Sequence, residues 1–189
     1  MSQTHTLSDI SALQMHRARA NSDALFLQEA AADEIQDRLE MINRPFKSVA
    51  IISPYPEIWQ NRFKNAQILP ETDVVPLATQ TYDLVIHAMG LHWSNDPVGQ
   101  LIQCRRALIP DGLMIAATLG GQTLHELRSC LGQAEIAVSG GLSPRVAPMG
   151  EVRDLGALLQ RAGLALPVAD TAPLRAEYKD IWHLMHDLR

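Results

Sequence analysis

Tyr82-Asp83-Leu84-Val85-Ile86-His87-Ala88-Met89 is followed, some twenty residues on, by Leu113-Met114-Ile115-Ala116-Ala117-Thr118-Leu119. Both are nearly unbroken apolar runs bounded by turn residues, the pattern of strands buried on two faces. Between them, Val98, Leu101, Ile102, Arg105, Leu108 and Ile109 recur at helical spacing. The apolar members line one face, and Arg105 can lay its stem along it while keeping its charge in water. Asp96 is placed to cap that helix, and Pro97 suits its first turn, where a missing N–H costs nothing. Pro110-Asp111-Gly112 is expected to end it. A strand–helix–strand unit of this kind implies parallel strands joined by a right-handed crossover. Ligands of such sheets bind beyond the carboxyl ends of the strands, which is where Leu91-His92-Trp93 falls.

Working outward, Ser48-Val49-Ala50-Ile51-Ile52-Ser53 reads as the first strand, broken by Pro54-Tyr55-Pro56. A helix is expected over 57–64 and a weak strand over 66–69. Residues 70–81 form a loop carrying Glu71 and Asp73. Upstream, Leu25, Ala32, Ile35, Leu39 and Ile42 give one apolar stripe of a helix over 23–43, stopped by Asn43 and Pro45. Residues 1–22 are expected to form a polar arm, mobile or held by a partner, with a helical stretch near Leu13 to Arg19 as the alternative. Downstream, Gly120-Gly121-Gln122 turns the chain, and Thr123-Leu124-His125-Glu126 matches a capping box opening a helix to about Val138. A Gly/Pro loop (139–148), a helix (151–162, ended by Gly163), strands at 164–169 and 174–178 and a final helix (180–188) complete the pattern. Alternating strands and helices define an α/β three-layer sandwich with a mostly parallel sheet, one domain over 23–189.

The 189 residues suffice for one sizeable core. A net charge of −5 argues against a nucleic-acid binder, whose affinity comes from neutralising phosphates. Cys104 and Cys130 lack metal spacing and are expected as reduced thiols of a cytoplasmic protein. No stretch approaches the ~20 apolar residues of a membrane span, and the first residues lack the apolar core of a signal peptide. His87, inside a strand, is expected as a packed core histidine, and His183 and His186 as surface residues, with no metal site. Ser143 has no nucleophile-elbow context. Arg145 could bind a partner carboxylate or stabilise its own loop.

Leu91-His92-Trp93-Ser94-Asn95-Asp96-Pro97, Arg105-Arg106-Ala107-Leu108-Ile109-Pro110-Asp111-Gly112, Gly120-Gly121-Gln122-Thr123-Leu124 and Ser143-Pro144-Arg145-Val146-Ala147-Pro148 resemble class I S-adenosylmethionine-dependent methyltransferases of the methyltransferase type 11 group. The closest branch contains bacterial relatives of the respiratory complex I assembly factor, whose described chemistry is arginine hydroxylation. The carrier-protein methyl ester enzyme of biotin synthesis is more distant. The resemblance covers about 23–189 and implies a Rossmann-like methyltransferase fold. It also implies S-adenosylmethionine as cofactor, with Ser53, Glu71, Leu91, His92 and Trp93 as the cofactor-binding positions if the site is retained.

Three departures stand out. Family members have a glycine-rich turn after the first strand, so that bare backbone can approach the cofactor. Here the turn is Ser53-Pro54-Tyr55-Pro56-Glu57, without glycine, and Tyr55 is expected to fill the space a cofactor would take. In addition, two strand–helix crossovers need on the order of 55 residues, more than lie between Pro54 and Thr81. One crossover fits, so the fold is expected to be truncated, without the usual second strand and its ribose-binding acid. The chain also ends before the family's closing strand, leaving an edge for a protein partner, a paralogue or a second copy in a homodimer. The expectation is therefore a methyltransferase-like protein with a degenerate cofactor site that acts through protein contacts, as in respiratory complex I assembly. The alternative is an active methyltransferase with an atypical site.

Overall fold

The computed structural model describes residues 6–147 and 149–188. Its centre is a four-stranded sheet, all parallel, in the order β2-β1-β3-β4. The strands are β1 (Val49–Ile52), β2 (Gln67–Leu69), β3 (Tyr82–Ala88) and β4 (Leu108–Ala117). Helices α1 (Ile10–Arg17) and α2 (Phe26–Glu40) precede the sheet. Next come α3 (Pro56–Gln60), between β1 and β2, and α4 (Pro97–Ala107), between β3 and β4. Helices α5 (His125–Ser139), α6 (Val152–Arg161) and α7 (Ile181–Asp187) follow.

Successive strand residues point to opposite faces, and two apolar clusters follow from that alternation. Ile51, Leu84, Ile86 and Ala88 pack against Ala32 and Ile35 of α2 and Ile58 and Trp59 of α3. Ala50, Ile52 and Val85 pack on the other face against Cys104 and Ala107 of α4, with Val75 from the loop. Every residue of β3 is buried, as its unbroken apolar run requires. Three layers result, and the outer ones leave only the strand ends for polar side chains. The single short crossover between β1 and β3 accords with the residue count. Five-residue α3 and three-residue β2 fill it, and β2 pairs directly with β1.

Asp96 caps α4 through a 2.8 Å hydrogen bond from the Gly99 N–H, with Pro97 in the first turn. Asp96→Ala should cost about 1 kcal/mol, seen as a lower urea midpoint with an unchanged m-value. The helix ends at Ala107, earlier than the Pro-Asp-Gly signal suggests. Leu108 already pairs with Tyr82, and the register then jumps so that Leu113 faces Leu84. The extra residues bulge out, with Asp111 at φ +64°.

Three local expectations differ from the structure. No strand forms at 164–169 or 174–178 among the described residues: Leu166, Val168 and Leu174 are mostly exposed and find no neighbouring strand. The capping box at Thr123 does not form. Thr123 Oγ1 donates instead to the Gly120 carbonyl, and α5 opens one residue later from Leu124 at φ +54°. The helix expected over 57–64 stops at Gln60. Residues 1–5 of the expected polar arm, together with Pro148 and Arg189, lie outside the described residues.

Candidate functional site

The carboxyl ends of β1, β2 and β3 bring polar groups together above a largely apolar sheet. After β1, Ser53 is buried, its N–H donates to the Leu69 carbonyl (3.1 Å), and its Oγ accepts from the Tyr55 N–H (3.1 Å). Pro56 opens α3, which Trp59, fully buried, pins to the sheet. After β2, Pro70 and Glu71 begin a loop stitched to α4. Gln100 Nε2 donates to the Thr72 carbonyl (3.1 Å). Gln103 accepts from the Val75 N–H (2.8 Å) and donates to the Asp73 carbonyl (3.0 Å). After β3, Met89 turns the chain at φ +53°, its N–H bonded to the Ala117 carbonyl. Gly90 and a short 3₁₀ turn, Leu91–Trp93, follow.

Glu71 is central to this end of the sheet. Its side chain is 8% exposed and lies on Gly90, where a Cβ would stand 2.5 Å from the carboxyl carbon. Its Oε2 is 2.8 Å from Nη2 of Arg17, an ion pair that lacks the alignment of a hydrogen bond. Burial raises the carboxyl above its ordinary range, and the Arg17 charge pulls the other way. Tyr55 is half-buried nearby; burial raises its hydroxyl too, with Arg17 opposing. His92 Nδ1 faces Thr118 Oγ1 at 3.1 Å, and its ring lies 5.3 Å from that of Trp93. Burial, with Arg17 and His87 nearby, lowers His92 to about 4, so the ring is neutral near pH 7. His87 is fully buried and bonds Gln100 Oε1 through Nε2 at 2.7 Å, which makes it the donor. It too is pushed down by burial, and its Nδ1 has no hydrogen-bond partner among the described residues.

Of the positions named from the sequence, Glu71 pairs with Arg17, and the charge of Arg17 also reaches His92. Ser53 lies under the neighbouring turn, and Trp93 flanks His92. Leu91 points away into a core cluster with Leu101 and Ala162. Arg17 itself was not singled out by sequence reasoning. It closes a helix in a polar segment and reaches its partner only through the fold. The remaining signal is weak: Asp9 caps α1 through the Ala12 N–H, so the helical stretch expected near 13–19 begins earlier, at Ile10, and ends at Arg17.

The turn after β1 offers a direct test of whether an S-adenosylmethionine carboxylate would be held there. Pro54 and Pro56 carry no N–H, and those of Ser53 and Tyr55 are spent on Leu69 and on Ser53 Oγ. An anion site at such a turn is made of unspent backbone donors, so these residues do not fit the group in the manner of a glycine turn. A groove of about 370 Å³ does lie beside it, lined by Arg17, Ala18, Leu25, Pro54, Tyr55 and Glu57 among others. Among the described residues no cluster of metal-ligating side chains occurs.

Residues 51–116 match the methyltransferase domain family. The chain is 38% identical over 141 residues to the human mitochondrial arginine-hydroxylase NDUFAF5, covering 70% of this chain and 41% of that protein. It is 35% identical over 124 residues to the malonyl-[acyl-carrier protein] O-methyltransferase of Laribacter hongkongensis, covering 66% and 40% respectively. The chain thus spans about two fifths of the length of these curated relatives. Among solved structures, a chain from the Haloferax volcanii complex of the Trm112 methyltransferase activator with a methyltransferase shares the fold. Its TM-score is 0.51 at 12% identity, over 76% of this chain and 73% of that one. Its parallel sheet and these matches together support a class I S-adenosylmethionine-dependent methyltransferase-like family for this chain.

Proposed function

We propose that this is a methyltransferase-like protein whose cofactor cleft is filled by its own side chains, and that it works by holding a protein partner. The observation that carries this reading is the spent turn after β1: two prolines, two engaged N–H groups and no glycine where the cofactor's carboxylate would need donors. The Arg17–Glu71 pair over Gly90 adds to it, because it lies at the strand ends where ligands of such sheets bind. Respiratory complex I assembly is the setting suggested by the resemblance to the assembly-factor branch and by the similarity to NDUFAF5. Residues 23–189 form the methyltransferase-like domain in this reading, and 1–22 an appended arm. A cytoplasmic location is part of it, supported by cysteines that are both free. No described helix is long and apolar enough to cross a membrane.

A second reading is an active S-adenosylmethionine-dependent methyltransferase with an atypical site around Ser53, Glu71, Leu91, His92 and Trp93. One feature favours it: the groove beside Tyr55 is within the size range of small-molecule pockets. Calorimetric titration with S-adenosylmethionine and S-adenosylhomocysteine separates the two. The first reading expects no heat and no thermal shift at millimolar ligand. Micromolar binding would replace it with the second.

A further inference from the structure

The N-terminal segment crosses the cleft and is fastened at both ends by polar contacts. At one end, Asn95 Oδ1 accepts from the Leu7 and Ser8 N–H groups (2.7 and 2.8 Å), and Asn95 Nδ2 donates to the Ser8 carbonyl (3.1 Å). At the other end, Arg17 sits on Glu71 at 2.8 Å. Asn95 follows β3 and Glu71 follows β2, and these strands flank β1. The segment between them therefore spans the carboxyl end of β1 and its turn. Between the two fastenings α1 buries no residue fully; Ile10, Ala12 and Leu13 are partly covered, and the rest of its apolar surface is open. Below it, by contrast, the backbone of the loop and of the turn is held by contacts that do not involve residues 6–17. The Glu71 loop is bonded to α4 through Gln100 and Gln103, and the Ser53 turn is pinned by Trp59.

From this contrast we propose that residues 6–17 are a releasable strap that masks the cleft, with Arg17 on Glu71 as its latch. A cover with little apolar burial opens on its own, well below the free energy of global unfolding. The cleft is preorganised and so survives the opening. Release uncovers Glu71, Gly90 and the 3₁₀ turn, turning a closed sheet end into a surface a partner or ligand can reach. Glu71 Oε2 is buried and lacks an aligned hydrogen bond in the closed state. The latch is therefore a charge contact that an incoming donor could improve on.

The strap goes beyond the proposed function and does not depend on it; the ligand titration and the following measurement fail separately. Amide hydrogen exchange on the full chain, read by residue, is the test. In the unmodified protein, amides of 11–18 should exchange at least tenfold faster than those of β1 and β3. Arg17→Ala and Asn95→Ala should each speed exchange along the whole of 11–18 by a further tenfold, with β1 and β3 unchanged. The amides of Trp93 and Ser94, bonded to Gly90 and Leu91 within the cleft itself, should keep their protection. Gly90→Ala tests the latch from beneath, since its Cβ would displace the Glu71 carboxyl without altering Arg17. It should give the same pattern, and Arg17→Lys should recover part of the protection. The proposal is overturned if 11–18 exchange only with the core, if the variants loosen every element alike, or if each variant frees only its own end.

Discussion

Replacing Trp59 with alanine should lower stability by about 3–5 kcal/mol, as large-to-small changes at buried aromatics do. For a chain of this size that corresponds to a fall in Tm on the order of 10 °C. Trp59 has no exposed surface, lies among Ile35, Ile51, Ile58 and Leu84, and stacks on Phe63 at 6.0 Å between centroids. It is the main anchor of α3, a helix too short to stand on its own hydrogen bonds. Loss of the ring would free the turn of Ser53 to Pro56 along with the helix. Trp59→Phe should cost much less. It keeps an aromatic filler and removes a buried Nε1–H that has no acceptor among the described residues. Denaturant melts of the two variants check this; equal losses would show that the indole N–H, not the packing, matters.

Stability should also rise between about pH 4 and 6.5. An unfolded histidine takes its proton near pH 6.5, whereas His92 in the folded chain takes one only near about 4. Between these values the unfolded chain holds more protons, and folding weakens as pH falls. Below the lower value both states are protonated and the loss is complete, worth about 3 kcal/mol for His92 alone. His87, buried and pushed in the same direction, adds to it. Glu71 opposes: its carboxyl is raised by burial, so in its own window the folded chain holds the extra proton and stability falls as pH rises. Two imidazoles against one carboxyl leave a net gain toward neutrality. Urea midpoints at pH 4.5, 5.5 and 7 give the slope, and the His92 ring resonance gives its pKa. A ring that titrates near 6.5 would refute the account.

Much of this was legible beforehand wherever burial on both faces left a mark. β1, β3 and the second half of β4 read as strands because their side chains meet helices on either side, which leaves few places for polar residues in them. His87 read as a core histidine for the same reason: a lone imidazole in such a run must find a partner inside, and Gln100 supplies it. The stretches at 164–169 and 174–178 have comparable apolar content, but a strand exists only where another strand is beside it. Thr123 and Glu126 had the spacing of a capping box, yet the hydroxyl found the Gly120 carbonyl first. Local chemistry offered two bonding choices, and the path of the chain into α5 selected one.

The order of residues by itself determined the layered architecture, the single short crossover and the absence of a glycine turn after β1. All three follow from periodicity, chain length and side-chain type, which act over a few residues. Only the tertiary structure decided that Arg17 lies on Glu71, that Glu71 rests on Gly90 and that Asn95 fastens residues 7 and 8. Those contacts join segments far apart in the chain. Burial of Glu71 keeps water from screening its charge pair with Arg17, whereas the neutral bonds to Asn95 lie at the surface.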